Sequence, residues 1–182
     1  LKDGIVKKGI ALTPVKFGIS FTAKHLNQAG ALIHVFTDGT IQLNHGGTEM
    51  GPGLFVKVAQ VVAHEFQVDI DQIQIMSTST EKVPNTSATA ASSGSDLNGM
   101  AAQRAARAIK DRLIAFLSER DNVPTEQIRF EANQVYVGDQ VLSFKDVVSA
   151  AYMARISLSA TGYYRTPKIH YDRDQHRGRP FF

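Results

Sequence analysis

Apolar and polar positions alternate with a period of two along Thr40-Ile-Gln-Leu-Asn-His45, and the mostly apolar run Gly30-Ala-Leu-Ile-His-Val-Phe-Thr37 precedes it across Asp38-Gly39. Asp-Gly supplies the positive φ of a tight turn, so the pattern predicts an antiparallel hairpin with one half-buried face. Upstream, Gly9 to Thr22 is rich in Ile, Val, Phe and Thr and predicts a further strand of the same sheet. The period then changes. Leu54, Val58, Val61, Val62 and Phe66 recur at helical spacing, predicting a helix over 53–66 entered through Gly-Pro-Gly. Gln72 to Met76 reads as a short strand. A second helix, capped by Ser95 or Asp96 and ending near Glu119, carries Leu97, Ala101, Ala105, Ile109, Leu113 and Leu117 on one face. Ile128 to Glu131 and Gln134 to Leu142 predict a smaller hairpin around Ala132-Asn133, with another turn at Gly138-Asp139. Ser143-Phe-Lys-Asp146 has the form of a capping box opening a helix that reaches about Ala154, and Leu158 to Tyr164 completes the pattern as a last strand. These elements predict an α+β fold, a mixed β-sheet with helices packed on one side.

Composition narrows the function classes. With 182 residues, 43% hydrophobic and 20% charged, the chain is long enough to bury a substantial core, and no stretch approaches the length of a membrane span. It has no Cys, which excludes a disulfide framework, zinc-thiolate site or iron-sulfur cluster on this chain and fits a reducing, cytoplasmic compartment. The net charge of +3 comes mainly from Arg165, Lys168, Arg173, Arg177 and Arg179. No aromatic stacking platform lies beside them, so nucleic acid is not the expected partner. We expect one unit over 1–164 and a basic C-terminal extension over 165–182. Leu1 at the start and Phe181-Phe182 at the end read as cut ends of an internal segment.

Two bulk-free runs carry the candidate chemistry: His45 to Leu54, with four glycines, and Val83 to Asp96, rich in Ala, Ser and Thr. Each leads into a helix. Small residues let a ligand approach the backbone, and a helix N-terminus meets an anion with partial positive charge, so both are expected to cradle a phosphate. Lys57 lies within reach of the first helix start. The first run is neither a Walker loop nor a dinucleotide fingerprint, because no Gly-Lys-Ser/Thr follows and its strand belongs to a hairpin. The six histidines show no paired ligand spacing, so no protein-ligated metal is expected, and His64-Glu65 reads as surface. Without a Gly-x-Ser-x-Gly elbow, Ser92 and Ser93 are not expected to be acyl-transfer nucleophiles.

Lys16-Phe-Gly-Ile-Ser-Phe-Thr22, Leu26-Asn-Gln-Ala-Gly-Ala31, His45-Gly-Gly-Thr-Glu-Met-Gly51, Pro84-Asn-Thr-Ser-Ala-Thr-Ala-Ala-Ser92 and Thr161-Gly-Tyr-Tyr-Arg-Thr-Pro167 occur in this order. Together they resemble the molybdenum-binding large subunit of the xanthine oxidase family, in particular that of bacterial xanthine dehydrogenase. The resemblance implies molybdopterin with molybdenum as cofactor and hydroxylation of hypoxanthine and xanthine to urate with water as oxygen source. It implies that 2Fe-2S clusters and FAD sit on other domains or on a partner small subunit. The other expected partners are a purine substrate and the remainder of the molybdenum subunit.

By position, Phe21 resembles the residue that stacks on the purine and Thr22 its hydrogen-bonding neighbour. Ala90 and Ala91 resemble the alanine pair beside the metal, the second offering its backbone amide near a molybdenum ligand. Thr89, Ser92 and Ser95 match positions on the pterin and its phosphate, and Met50, Gly51, Pro52 and Lys57 match the opposite wall. The glutamate base has no counterpart in the chain and is expected downstream in the full subunit, so the chain alone is expected to be inactive. The family reads Gly-Thr-Glu-Met-Gly-Gln-Gly-Leu-His, whereas Pro52 stands here in place of Gln and Phe55 in place of His. Proline has neither a side-chain donor nor an N–H. This departure motivates the alternative of a non-catalytic domain or assembly piece that keeps the fold without productive cofactor binding.

Overall fold

The computed structural model describes residues 6–14 and 18–179. A four-stranded sheet forms its centre from β1 (Gln28–Val35), β2 (Ile41–His45), β3 (Ile73–Ile75) and a late strand, β7 (Ser159–Arg165), in the order β3-β2-β1-β7. Strands β1, β2 and β7 pair antiparallel and β3 pairs parallel to β2, so the sheet is mixed. The β1–β2 turn forms as its sequence dictates. Gly39 has φ +90°, and Asp38 Oδ1 accepts the Thr40 N–H at 2.9 Å.

Helices α1 (Leu54–Phe66) and α2 (Gly94–Asp121) bury the face of the sheet that carries Ala31, Ile33, Leu43 and His45. Period 3.6 sets which side chains go inward. Leu54, Val58, Val62 and Phe66 of α1 meet Leu97, Ala101, Ala105, Ile109, Leu113 and Leu117 of α2, while Val61 is only half-buried. The alanines let α2 lie close to the sheet, and Gly162 of β7 completes the fit. A Cβ there would come within 2.0 Å of the Ala101 carbonyl oxygen. Glu65, expected at the surface, is instead 11% exposed and bridges the helices, accepting from Arg107 Nε at 3.1 Å with Lys110 Nζ at 3.9 Å. Helical spacing put it on the polar face, but that face borders α2.

A second sheet, β4 (Ile128–Glu131), β5 (Gln134–Val137) and β6 (Gln140–Ser143), joins α3 (Phe144–Met153) at the far end of α2. Its first turn has positive φ at both Ala132 and Asn133, as a tight hairpin requires, and α3 opens with Ser143 Oγ accepting the Asp146 N–H at 3.1 Å. Beyond β7 the chain forms a hairpin of β8 (His170–Asp172) and β9 (Arg177–Arg179).

One predicted element does not form. Residues 9–14 and 18–22 are not a strand, and 15–17 lie outside the described residues. Ile10 and Leu12 are fully exposed, with no strand paired beside them among the described residues. The β-branched composition is a preference for a pleated, half-buried surface, and the described residues supply none there.

Candidate functional site

The segment from Gly46 to Gly53 leaves β2 and turns into α1 through Gly53 in the left-handed region, φ +76°. Its organising group is Glu49. One carboxylate oxygen accepts the N–H groups of Gly51 at 2.8 Å and Gly53 at 3.1 Å, and the other accepts that of Phe55 at 3.0 Å. These bonds, that from Phe55 foremost, hold the carboxyl below the usual glutamate range. The first helix start, expected to cradle an external anion, thus has the chain's own carboxylate on three of its loop and first-turn amides, because Glu49 lies close enough in sequence to reach them.

The second loop, between β3 and α2, behaves differently. It crosses the outer face of the sheet, where Gly30 leaves room for the Pro84 carbonyl and Asn85 Nδ2 donates to Gln28 Oε1 at 3.1 Å. Ala91 and Ser92 then take positive φ, 55° and 53°, which costs energy for residues other than glycine and is held by the surrounding packing. The N-cap is Ser93, not Ser95 or Asp96. Its hydroxyl donates back to the Ala90 carbonyl at 2.9 Å and caps no amide. The N–H groups of Gly94, Ser95 and Asp96 consequently have no acceptor among the described residues. They leave the positive end of a 28-residue helix unsatisfied.

The two loops meet. Thr48 N–H donates to Thr89 Oγ1 at 2.8 Å, Thr86 packs where a Cβ on Gly46 would stand, and Leu54 fills the space between Gly47 and Gly94. Between them is a cavity of about 330 Å³, with Met50, Pro52 and Lys57 on one wall and Thr89, Ala90, Ser92 and Ser95 on the other. Leu54 and Gly94 complete the lining. Seven of the predicted site residues thus line one cavity; Gly51 and Ala91 sit beside lining residues in sequence without lining it themselves. Phe21 and Thr22 line a separate cavity of about 150 Å³, with Ser20, His170 and Arg179.

The cavity's polar groups are hydroxyls, helix-end amides and the Lys57 ammonium; no carboxylate lines it. This donor set suits an anionic group with polar ring edges, and the alanines leave room for bulk. Behind the first wall, buried His45 accepts the Gly47 N–H on Nδ1 at 3.1 Å, which places its ring proton on Nε2, where no partner is present among the described residues. Burial lowers its pKa to about 4, so it is neutral at pH 7. Phe55 packs edge-on against this ring at 5.1 Å and does not line the cavity.

Sequence reasoning missed two further groups. Asp96, in the first turn of α2, accepts from Thr166 Oγ1 at 3.2 Å; burial raises its pKa and this bond opposes the rise. Asn27, 2% exposed, bonds to both backbone polar groups of Phe21. A Glu two and four residues ahead of glycines at a helix entry was a readable signal for Glu49. No local pattern announces Asn27 or Asp96, because their partners lie in separate segments.

An α+β fold with a cavity lined by hydroxyl residues, a helix start and a lysine, set between two small-residue loops, has the donor set that suits an anionic ligand. The chain belongs to the family of molybdopterin cofactor-binding domains, whose model matches residues 1–182. It is similar to the cat xanthine dehydrogenase/oxidase, 45% identical over 96% of this chain and 12% of the relative. It is also similar to the Emericella nidulans nicotinate hydroxylase, 48% identical over 91% of this chain and 11% of the relative. The quinoline 2-oxidoreductase of Pseudomonas putida shares the fold at a TM-score of 0.71 and 21% identity, over 84% of this chain and 22% of that one. The chain spans about an eighth of the length of the curated relatives it matches. Among the described residues no helix is long and apolar enough to cross a membrane. The residues present fit the family's cofactor, since Gly94 and Ser95, whose N–H groups have no acceptor among the described residues, line one cavity with Lys57 and no carboxylate residue.

The Glu49 bonds carry a pH dependence whose sign is set by the lowered pKa. Order in residues 49–55 is present above the ordinary glutamate pKa and is lost as pH falls through the lower folded value. A carboxyl-shift titration by NMR is expected to place Glu49 below an ordinary Glu, and Glu49→Gln is expected to speed hydrogen exchange at Gly51, Gly53 and Phe55. An ordinary or raised pKa would contradict the assigned bonds.

Proposed function

We propose that this chain is the cofactor-binding segment of a molybdenum hydroxylase that oxidises a nitrogen-containing aromatic ring, with hypoxanthine and xanthine as substrates. The observation that carries the reading is the joined pair of loops, whose cavity presents donors from both sides to one ligand. Lys57 and the first-turn amides of α2 would hold the phosphate of molybdopterin. Thr89, Ser92 and Ser95 would hydrogen-bond its polar edges, and Met50 and Pro52, with Gly51 between them in sequence, would form the facing wall. Ala90 on the cavity wall and its neighbour Ala91 would let the reactive centre come close to backbone, with the Ala91 amide offered to a molybdenum ligand. When bound, the cofactor supplies the two-electron oxidation of a ring carbon with water as oxygen source. Phe21 stacks on the ring and Thr22 hydrogen-bonds it. The glutamate base lies elsewhere in the subunit, so residues 1–164 with the basic segment 165–182 act only with the remainder of the molybdenum subunit, and the isolated chain is inactive. 2Fe-2S clusters and FAD on other domains or a small partner subunit would supply the electron acceptors, and the compartment we propose is the cytoplasm.

Relatives named for xanthine and for nicotinate are equally similar to the chain, which supports an aromatic heterocycle more strongly than a purine. In the intact subunit, Lys57→Met with Ser95→Ala is expected to weaken cofactor binding about tenfold or more, since bonds to a charged group contribute about 1.5–3 kcal/mol each. Bound molybdenum per subunit measures it, with Gln60→Met as a surface control. Full molybdenum content in the double variant would contradict the reading.

Pro52 favours a second reading, a domain that keeps the fold without productive chemistry. It lines the cavity and offers it neither a side-chain donor nor an N–H. Pro52→Gln with Phe55→His in the intact subunit separates the two: unchanged molybdenum content and rate support a working enzyme, and a rise of tenfold or more, about 1.4 kcal/mol, supports a damaged one.

A further inference from the structure

Phe21 and its neighbours lie in no helix or strand, and Ser20 has φ +146°, so regular secondary structure does not fix where the Phe21 ring stands. Among the described residues, the bonds that tie the Phe21 backbone to the rest of the molecule are made by one side chain. Asn27 Oδ1 accepts the Phe21 N–H at 2.7 Å, and Asn27 Nδ2 donates to the Phe21 carbonyl at 2.9 Å and to that of Ala23 at 3.2 Å. The side-chain amide mimics a short piece of strand. An Asn is well suited to this, having an acceptor and two donors on one planar group.

Asn27 is itself firmly placed. It is buried and directly precedes β1, which is bonded on both edges, to β2 and β7. Its own carbonyl accepts the N–H of Thr166, just after β7, at 3.1 Å. Thr166, 7% exposed, donates through Oγ1 to Asp96 in the first turn of α2, next to Ser95 of the 330 Å³ cavity. A continuous set of short bonds therefore runs from Phe21 to the helix end that lines the other cavity.

We propose that Asn27 is a positioning residue: it clamps the Phe21-Thr22 segment to the sheet and, through Thr166 and Asp96, fixes that segment relative to the first turn of α2. The proposal rests on the reading of Phe21 as the residue that stacks on substrate. Its consequence is that Asn27 governs substrate placement without touching substrate, and does so independently of cofactor retention. Small misplacements at such sites have large effects on rate and apparent affinity.

The test uses the cofactor-loaded intact subunit with its electron-transfer partner, assayed with xanthine and, if that is not turned over, with nicotinate. Asn27→Ala is expected to raise KM about tenfold, in line with the cost of a displaced positioning group. Molybdenum content should stay unchanged, and hydrogen exchange should speed up in the peptide spanning residues 18–23. Because the residue acts through Phe21, adding Asn27→Ala to Phe21→Ala should change KM by less than about twofold, the non-additivity expected of coupled neighbours. An unchanged KM in Asn27→Ala, or an equal factor in both backgrounds, overturns the role of Asn27. If Phe21→Ala alone leaves KM and kcat unaltered, the substrate reading of Phe21 fails and takes the positioning role with it. Should Asn27→Ala yield no soluble subunit, Asn27→Asp, which retains the oxygen accepting from Phe21 but turns a carboxylate toward the carbonyls of Phe21, Ala23 and Lys24, is read in the same way.

Discussion

The bond from the Thr48 N–H to Thr89 Oγ1 joins residues 41 positions apart in two loops, and the cavity lies between those loops. Each loop alone is a turn between a strand and a helix. Their approach requires positions with almost no side chain: Gly46 yields its place to Thr86, Gly47 to Leu54, and Gly30 to the Pro84 carbonyl. The same device brings α2 onto β7 at Gly162. Close backbone approach is thus the organising constraint of the molecule, in its core and at its candidate site.

The two helix starts at that site have opposite electrostatic fates. At α1, Glu49 accepts the N–H groups of Gly51, Gly53 and Phe55, which places a negative charge of the chain's own at this helix start. At α2, Ser93 turns its hydroxyl backward and the first-turn amides remain available. Lys57 comes from the first wall and these amides from the second, so positive potential converges on the cavity from two segments. The neutral, buried His45 supports Gly47 from behind without adding charge.

Features that depend on neighbours in sequence were legible. Asp38-Gly39 defined the hairpin, apolar spacing defined α1 and α2, and Ser143 with Asp146 defined the start of α3. The family resemblance was legible from ordered motifs, and most of the residues it indicated line one cavity. Features that depend on what packs alongside were not. Residues 9–14 and 18–22 of the N-terminal run pair with no strand among the described residues, and Glu65 faces α2. The cap of α2 is Ser93, two residues before the first of the predicted caps, because the positive-φ turn at Ala91-Ser92 ends directly ahead of it. Phe21 and Thr22 reside in a cavity of their own, and Asn27 and Asp96 act through partners in other segments, which no local pattern encodes.

The central claim is that both small-residue loops form a single wall set for one phosphorylated ligand. A crystal structure of the intact, cofactor-loaded subunit tests it most directly. The account requires the phosphate within hydrogen-bonding distance of the Gly94 or Ser95 amide and of Lys57, with Thr48 and Thr89 still bonded. A phosphate held wholly by other segments, with these donors turned to solvent, would contradict it.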